Sequence, residues 1–230
     1  MRNKTLTTLK KLFATLLTAA IITTSAAAPA STAFANTAGT NRKAITAYKK
    51  MLAKKTFSWS SNLAQAENDT SSYTFLCKDL NGDGVSELVV TNPNACYAAG
   101  YTKVFAYVNH KVKCVTTCSG ITWYQKGKII GIEDAHTGAY WGDFYRLTKN
   151  GKLIVKASYG GTDDKSYAKK AKHTEHSSYG FSIYYTNYKI NNKETSYKNY
   201  KKQFKKMTKN QKAATLHFQK NTKANRAKMK

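Results

Sequence analysis

The sequence predicts an α+β fold: an antiparallel β-meander preceded by an N-terminal helix and followed by a basic C-terminal helix. Two segments, one near each end of the chain, are predicted to be helices because apolar side chains recur in them at helical spacing. A third observation indicates the meander, because short alternating segments separated by turn signals fill the middle of the chain. The 16 tyrosines suit strands whose side chains are half buried.

The first 35 residues are typical of an export signal peptide. A positive head containing Arg2 and Lys4 precedes the apolar stretch Leu12–Ala28, and Ala33-Phe34-Ala35 fits the small-x-small rule for cleavage. A membrane anchor is the alternative, but a stretch of about 17 residues is short for a spanning helix, and no later segment is long and apolar enough. We expect a mature, secreted chain that starts at Asn36.

An N-terminal helix and a polar linker are predicted to occupy residues 36–72. The helix is predicted over Asn41–Lys54, where Ile45, Tyr48 and Leu52 recur on one face. The polar segment Ser60–Ser72 then predicts a loop.

A β-meander domain is predicted over residues 73–190. Short turn signals such as Asn109-His110 and Asn150-Gly151 separate its segments, and strands joined this tightly are antiparallel neighbours. Gly160–Ser178 is polar and Lys-rich, so it predicts a loop before the last strand. The predicted strands are Tyr73–Lys78, Glu87–Thr91, Tyr101–Val108, Lys111–Thr117, Ile121–Tyr124, Lys128–Asp134, Asp143–Leu147, Lys152–Ser158 and Phe181–Ile190.

A basic helix and tail are predicted over residues 191–230. Thr195 is placed to cap a helix that runs to about Met207. Leu216 and Phe218 suggest a short strand, and Asn221–Lys230 is expected to fray. The apolar face of the helix carries Tyr197, Tyr200, Phe204 and Met207.

Charge is distributed unevenly along the chain. The 38 Lys and Arg residues against 12 Asp and Glu residues give a formal net charge of +26. The segment Lys189–Lys230 alone holds 14 basic residues and one acid, Glu194. Such a tail predicts salt-dependent attraction to polyanions, with a cell-wall polymer or host glycan favoured over nucleic acid. The alternative is a solvated tail that only aids solubility.

The four cysteines of an exported chain permit two disulfides. A Tyr101–Val108/Lys111–Thr117 hairpin would bring Cys118 close to the loop that holds Cys96. We therefore favour Cys96–Cys118, with Cys77–Cys114 as a second pair if the sheet curves. Four free thiols are the alternative.

The segment Asp79–Glu87 has the oxygen spacing of a calcium loop. Counted from Asp79, side-chain oxygens fall at positions 1, 3, 5 and 9, on Asp79, Asn81, Asp83 and Glu87. Gly84 allows a sharp turn at position 6, and the Val85 carbonyl is available at position 7. Ca²⁺ takes about six to eight oxygen ligands, which this pattern supplies in part.

Two features define what kind of loop this is. A helix–loop–helix hand places a glutamate at position 12, but that position is Val90 here, within a predicted strand. The ligand set therefore closes early, at Glu87, between two strands. A plain hairpin turn is the alternative, since Asn-Gly and Asp-Gly are strong turn signals. Such a turn, however, requires neither Asp79 nor Glu87.

The segment "DLNGDGVSELVV" resembles the calcium loops of dockerin-type, integrin-type and FG-GAP-type sites. The whole order of signal, "AYKKML" helix, acidic loop, tyrosine-rich meander and "YKINNKETSYKNYKKQFKKMTK" resembles uncharacterised secreted proteins of Clostridia and related gut Firmicutes. This resemblance implies an extracellular bacterial location, at or near the cell surface. It implies calcium at Asp79, Asn81, Asp83 and Glu87, and it implies no catalytic activity.

Two further clusters contain residues able to do chemistry. "EDAHTGAYWGDFY" gathers Glu133, Asp134, His136 and Asp143 beside Tyr140 and Trp141, which suits acid–base catalysis on a sugar. The alternative is an ordinary polar strand–loop–strand. "HTEH" holds His173, Glu175 and His176 but supplies too few ligands for a convincing zinc site.

Five tyrosines near the C-terminus are interleaved with lysines: Tyr184, Tyr185, Tyr188, Tyr197 and Tyr200. They suit stacking on sugars or bases, but packing of the terminal helix on the sheet is favoured. The leading functional hypothesis is a secreted domain in which calcium has a structural role. The alternatives are a secreted hydrolase of wall or glycan and a protein–protein interaction module.

Overall fold

The structure is a computed structural model that describes residues 30–54, 70–93 and 101–230. Asn36–Lys230 forms one compact unit. The described helices of the chain are α1 (Ala30–Leu52), α2 (Tyr197–Met207) and α3 (Lys223–Ala227). None of them combines the length and the apolar character that a membrane crossing requires.

The strands form two sheets, and every pair within them is antiparallel. The first sheet has the order β12-β1-β2-β3-β4, and the second has the order β11-β10-β8-β7-β6-β5, with β9 also pairing with β10. The strands are β1 (Thr74–Lys78), β2 (Glu87–Thr91), β3 (Thr102–Val108), β4 (Lys111–Cys118), β5 (Thr122–Tyr124), β6 (Ile129–His136), β7 (Ala139–Leu147), β8 (Leu153–Thr162), β9 (His173–His176), β10 (Ser182–Ile190), β11 (Lys193–Glu194) and β12 (Gln219–Lys220).

The sheets and helices stack in the order α1, first sheet, second sheet, α2. On α1, Ile45 and Tyr48 pack against Phe75 and Leu88 of the first sheet. Because side chains alternate along a strand, Val89 points to the other face, where it joins a core shared with the second sheet. On the far side of the second sheet, tyrosine and phenylalanine side chains of α2 cover a third, mainly aromatic core.

The predicted α+β fold with an antiparallel meander is confirmed. The meander divides into two sheets after β4, and this explains why β2 is buried on both faces. Leu88 and Val90 face α1, while Val89 faces the second sheet. A strand buried on both sides reads as a continuous apolar run, as "ELVV" does.

Several predicted boundaries are wrong, and two of them differ most. Helix α1 begins at Ala30 rather than Asn41, because the Ala-rich residues before Asn41 favour helix. The predicted loop Gly160–Ser178 contains the end of β8 and all of β9, since β10 offers backbone partners on both of its edges.

The C-terminal ten residues do not fray, contrary to prediction. The Asn221 side chain is 5% exposed and donates to the carbonyl oxygens of Leu52 (2.9 Å) and Thr70 (2.8 Å). Met229 is 9% exposed and belongs to the core beneath α1. The tail is therefore anchored by two hydrogen bonds to backbone carbonyls and by apolar contact, despite its high charge.

Candidate functional site

The loop Asp79–Glu87, called the acidic loop below, joins β1 to β2 at a point where three layers of the fold meet. The Asn41 side chain of α1 accepts from the Ser86 amide at 2.8 Å, and the Tyr48 hydroxyl donates to the Ser86 carbonyl at 3.1 Å. From the second sheet, the Trp123 indole donates to the Leu80 carbonyl at 3.1 Å. The loop is thus a junction between α1 and both sheets.

The acidic side chains hold the loop in shape by accepting from its own backbone. Asp79 accepts from the amides of Gly82 (2.5 Å) and Gly84 (3.0 Å), and Asp83 accepts from the Val85 amide at 2.9 Å. Gly82 and Gly84 have φ values of +79° and +87°, which L side chains rarely adopt. These bonds explain why Asp79 and both glycines stand at these positions.

Glu87 is the buried acid of the loop, with 2% of its surface exposed. One carboxylate oxygen accepts from the Leu80 amide at 2.8 Å, and the other accepts from the Asn81 amide group at 3.2 Å. Burial raises the pKa of Glu87 to about 8; the negative charges of Asp83 and Asp79 add to this, while the Leu80 hydrogen bond opposes it. Ionisation of Glu87 therefore needs a compensating positive charge.

No such charge is paired with the loop. Among the described residues, no Lys, Arg or His nitrogen lies within 4.0 Å of a carboxylate oxygen of Asp79, Asp83 or Glu87. The Lys128 side chain runs beside Gly82 closely enough that a Cβ there would overlap its ammonium.

The donor set of the acidic loop suits a hard cation, but its atoms do not converge on one point. Within the described parts of the chain, no group of three or more His, Cys, Asp and Glu side chains is arranged to hold an ion. The Asn81 amide nitrogen donates to both Asp83 (3.1 Å) and Glu87, in the place where a cation would neutralise them. The Asn81 oxygen is already engaged, since it accepts from the Asp83 amide at 2.8 Å.

The predicted Cys77–Cys114 disulfide is wrong. Register pairs Cys77 with Leu88, Leu88 with Phe105 and Phe105 with Cys114, so the two cysteines lie three strands apart. That separation is about 14 Å, far beyond disulfide reach. Cys77, Cys114 and Cys118 are free thiols, and burial raises the pKa of Cys77 to about 12 and that of Cys118 to about 11. The favoured Cys96–Cys118 pair involves Cys96, which lies outside the described residues.

The four candidate hydrolase residues do not form one site. Register across β6 and β7 pairs Glu133 with Gly142 and Ile132 with Asp143, so Glu133 and Asp143 occupy opposite faces of the sheet. Asp134 follows Glu133 directly and shares the Asp143 face. His136 lies at the exposed end of the hairpin, where its Nδ1 is 2.6 Å from the Thr137 hydroxyl. Only Glu133 faces α2.

The "HTEH" residues are divided in the same way by alternation along β9. His173 and Glu175 share one face, with 3.5 Å between the imidazole Nε2 and the carboxylate. His176 is on the other face, where its Nδ1 lies 2.9 Å from the Ser182 hydroxyl. Three ligands for one ion are therefore not assembled here.

Four of the five tyrosines pack α2 onto the second sheet, as predicted, whereas Tyr184 is not part of that core. Tyr185, Tyr188 and Tyr200 are buried in the aromatic core, and the Tyr188 and Tyr200 ring centroids are 4.8 Å apart. Tyr197 is partly buried at its edge. An open cavity of about 290 Å³ remains beside these rings, and Glu133 and Glu175 both line it.

A second cavity, of about 350 Å³, combines basic residues that are far apart in the sequence. Arg146 comes from β7 and Lys156 from β8. Lys206 lies in the last turn of α2, and Lys209 lies two residues after its end. No carboxylate lines this basic cavity. The sequence identified only the C-terminal lysines, because no local pattern links them to Arg146.

Comparison with protein-family models, with curated proteins and with solved structures found no match for this chain. Function is therefore argued below from the geometry of the acidic loop and of the basic cavity.

Proposed function

We propose that this protein is a secreted bacterial calcium-binding domain in which the ion has a structural role. The observation that carries the proposal is the buried, unpaired carboxylate of Glu87 beside Asp79 and Asp83. Bound calcium would supply the positive charge that lets these groups ionise together. Its ligands would be the side-chain oxygens of Asp79, Asn81, Asp83 and Glu87 and the carbonyl of Val85.

The position of the loop supports a structural role for the ion. Hydrogen bonds join the loop to Asn41 and Tyr48 of α1 and to Trp123 of β5. Fixing the loop would therefore fix the junction of three layers. With three carboxylates and no late glutamate, the affinity should be that of extracellular modules, roughly 10⁻⁴ to 10⁻³ M. The export signal supports a location in which calcium reaches such concentrations.

Thermal melting under calcium titration tests this proposal. Calcium at about tenfold to a hundredfold above its dissociation constant should raise the Tm by roughly 3–10 °C. Asp83→Ala should abolish that rise, whereas Glu194→Ala, at an exposed acid outside the loop, should preserve it. An unchanged Tm in the wild-type chain, or an equal rise in the Asp83→Ala chain, would reject the site.

We further propose that the basic cavity contacts an anionic wall polymer or glycan at the cell surface. Four cationic side chains and no carboxylate line it, which favours phosphate or carboxylate groups. Deleting the tail is a poor test, because Asn221 and Met229 belong to the fold. Charge removal at Arg146 and Lys206 leaves those anchors in place.

Sedimentation with purified wall polymer at low and high salt measures this interaction. The double variant Arg146→Gln, Lys206→Gln should bind less than wild type at low salt, and high salt should remove the difference. Lys165→Gln, Lys169→Gln is the matched control, since both lysines are exposed and outside the cavity. Equal loss in both double variants would indicate attraction by net charge alone. A salt-insensitive result would exclude an electrostatic contact.

The four candidate hydrolase residues do not converge on one point, because Glu133 lies on the opposite face of the sheet from Asp134 and Asp143. An interaction module remains compatible with a structural calcium site, and the wall-binding experiment distinguishes it by the absence of polymer binding.

A further inference from the structure

The cavity of about 290 Å³ between the second sheet and α2, called the tyrosine cavity below, is built from residues of six strands and one helix. Glycines make room for its aromatic walls. A Cβ at Gly161 would lie 2.8 Å from the Tyr185 ring, and one at Gly142 would overlap the Tyr159 ring. The lining residues are Tyr124, Glu133, Phe144, Tyr159, Glu175, Tyr185, Tyr188, Tyr197, Tyr200 and Phe204.

The rings of the tyrosine cavity meet at different angles rather than forming one stack. Tyr159 and Tyr185 are nearly perpendicular, at 85° with 5.5 Å between centroids. Tyr188 and Tyr197 are tilted by 40° with 5.2 Å between centroids. Several differently oriented π-surfaces around one space are the arrangement that holds an organic ammonium group by cation–π attraction. The Tyr197 ring already has one ammonium near it, that of Lys201, 5.8 Å from its centroid.

Two carboxylates give the tyrosine cavity its charge. Tyr159 donates to Glu133 at 3.0 Å, and Tyr185 donates to Glu175 at 3.1 Å. These bonds fix both carboxylates against the rings. Neither acid is within 4.0 Å of a Lys or Arg nitrogen in the described chain; the one ion-pair contact is between Glu175 and the His173 imidazole. Burial and the neighbouring carboxylates raise the pKa of Tyr159 and of Tyr185, so both hydroxyls stay protonated donors.

We propose that the tyrosine cavity binds a small organic cation of the alkylammonium class, such as a quaternary ammonium head group. The charge of its lining selects against anions: ten residues line it, two are acids and none is Lys or Arg, in a chain with 38 basic residues. The lining also contains no amide side chain. A cation is matched by the carboxylates and π-faces of this lining.

Calorimetric titration of the full chain with choline tests the proposal, with 3,3-dimethyl-1-butanol as a neutral probe of the same shape. Choline should bind with roughly millimolar affinity, and the neutral alcohol should bind at least about fivefold more weakly. Equal binding of the two probes would show that charge is not recognised and would overturn the proposal. So would the absence of choline binding at tens of millimolar, or binding of N-acetylglucosamine in preference to choline.

Variants locate the binding within the molecule. Glu133→Gln and Glu175→Gln should each weaken choline binding about fivefold to tenfold, since they remove charge and keep shape. Glu194→Gln removes another exposed acid, which lies outside the cavity, and should leave binding unchanged. Tyr197→Phe should retain binding and Tyr197→Ala should lose it, with circular dichroism showing that α2 persists. Binding that is indifferent to both glutamates, or equally weakened by Glu194→Gln, would contradict the assignment.

Discussion

The two sheets carry their acidic groups in opposite ways. On the first sheet, Glu87 is buried beside Asp79 and Asp83, and the surrounding core is largely aliphatic. On the second sheet, Glu133 and Glu175 are exposed at the rim of a cavity with aromatic walls. Of these three acids only Glu87 is buried, since Asp79 is half-buried and Asp83 is exposed. A buried carboxylate suits a small, hard cation in direct contact. Exposed carboxylates over tyrosine rings suit a larger and softer cation that keeps part of its solvation.

The comparison also separates a contiguous site from a composite one. All proposed calcium ligands lie within nine consecutive residues of one loop. The tyrosine cavity draws Glu133 and Glu175 from β6 and β9 and its outer wall from α2. Changes in the contiguous acidic loop should therefore affect mainly the folding of that loop. The composite tyrosine cavity, in contrast, forms only when several strands and α2 are packed together.

The largest expected effect is that of removing a ring from the aromatic core of the second sheet. Tyr200→Ala should lower the free energy of unfolding by about 3–5 kcal/mol, because Tyr200 packs on Tyr188 and Phe204 and leaves a cavity. Urea denaturation with and without calcium measures it. The loss should be the same in both, since the ring does not touch the acidic loop. A loss seen only with calcium would show that the two regions are not independent.

A smaller effect is expected from the pH dependence of the acidic loop. The folded pKa of Glu87, about 8, is above its unfolded value. Without calcium, its contribution is therefore complete below the unfolded pKa and is lost as pH rises through about 8. Unfolding free energy in a chelator should fall by roughly 2–4 kcal/mol between about pH 5 and about pH 9. Calcium should reverse part of this fall, because it favours the ionised carboxylate.

Glu87→Gln is the matched variant for that titration. It keeps acceptor and donor groups but cannot ionise, so its stability in chelator should change less with pH than that of the wild-type chain. Glu194→Gln, which is exposed, should follow the wild-type curve. A Glu87→Gln curve parallel to wild type would assign the pH dependence to other groups.

The anchored tail provides a third test, on the first sheet alone. Asn221→Ala leaves the Leu52 and Thr70 carbonyls without their buried donor and should cost about 1–3 kcal/mol. Asn225→Ala removes a more exposed amide and should cost less. Urea denaturation measures both variants. Equal, negligible losses would mean that the tail contributes as little as a frayed end.

These regions differ in how much the sequence predicts. Alternation and turn signals predict the strands, and the spacing of Asp79, Asn81, Asp83 and Glu87 predicts a loop with its polar groups turned inward. The sequence does not predict that β2 is buried on both faces, since this requires knowing that the meander folds into two sheets. The sequence also does not predict that Met229 packs in the core or that Arg146 and Lys206 line one cavity. Each of these depends on contacts between segments that are distant in the sequence.

The smallest expected effect concerns Lys128. This residue directly precedes β6 of the second sheet, and its side chain lies beside the acidic loop. Its ammonium lies beside Gly82 without pairing to a loop carboxylate within 4.0 Å. A positive charge there should repel a bound cation, so Lys128→Gln should tighten calcium binding about threefold at low salt. Lys126→Gln, two residues earlier in the same exposed turn, should change it less. Calcium titration followed by calorimetry compares the two variants. An equal gain in both would assign the effect to net charge, and a weaker affinity in Lys128→Gln would mean that this lysine supports the loop rather than competing with the ion.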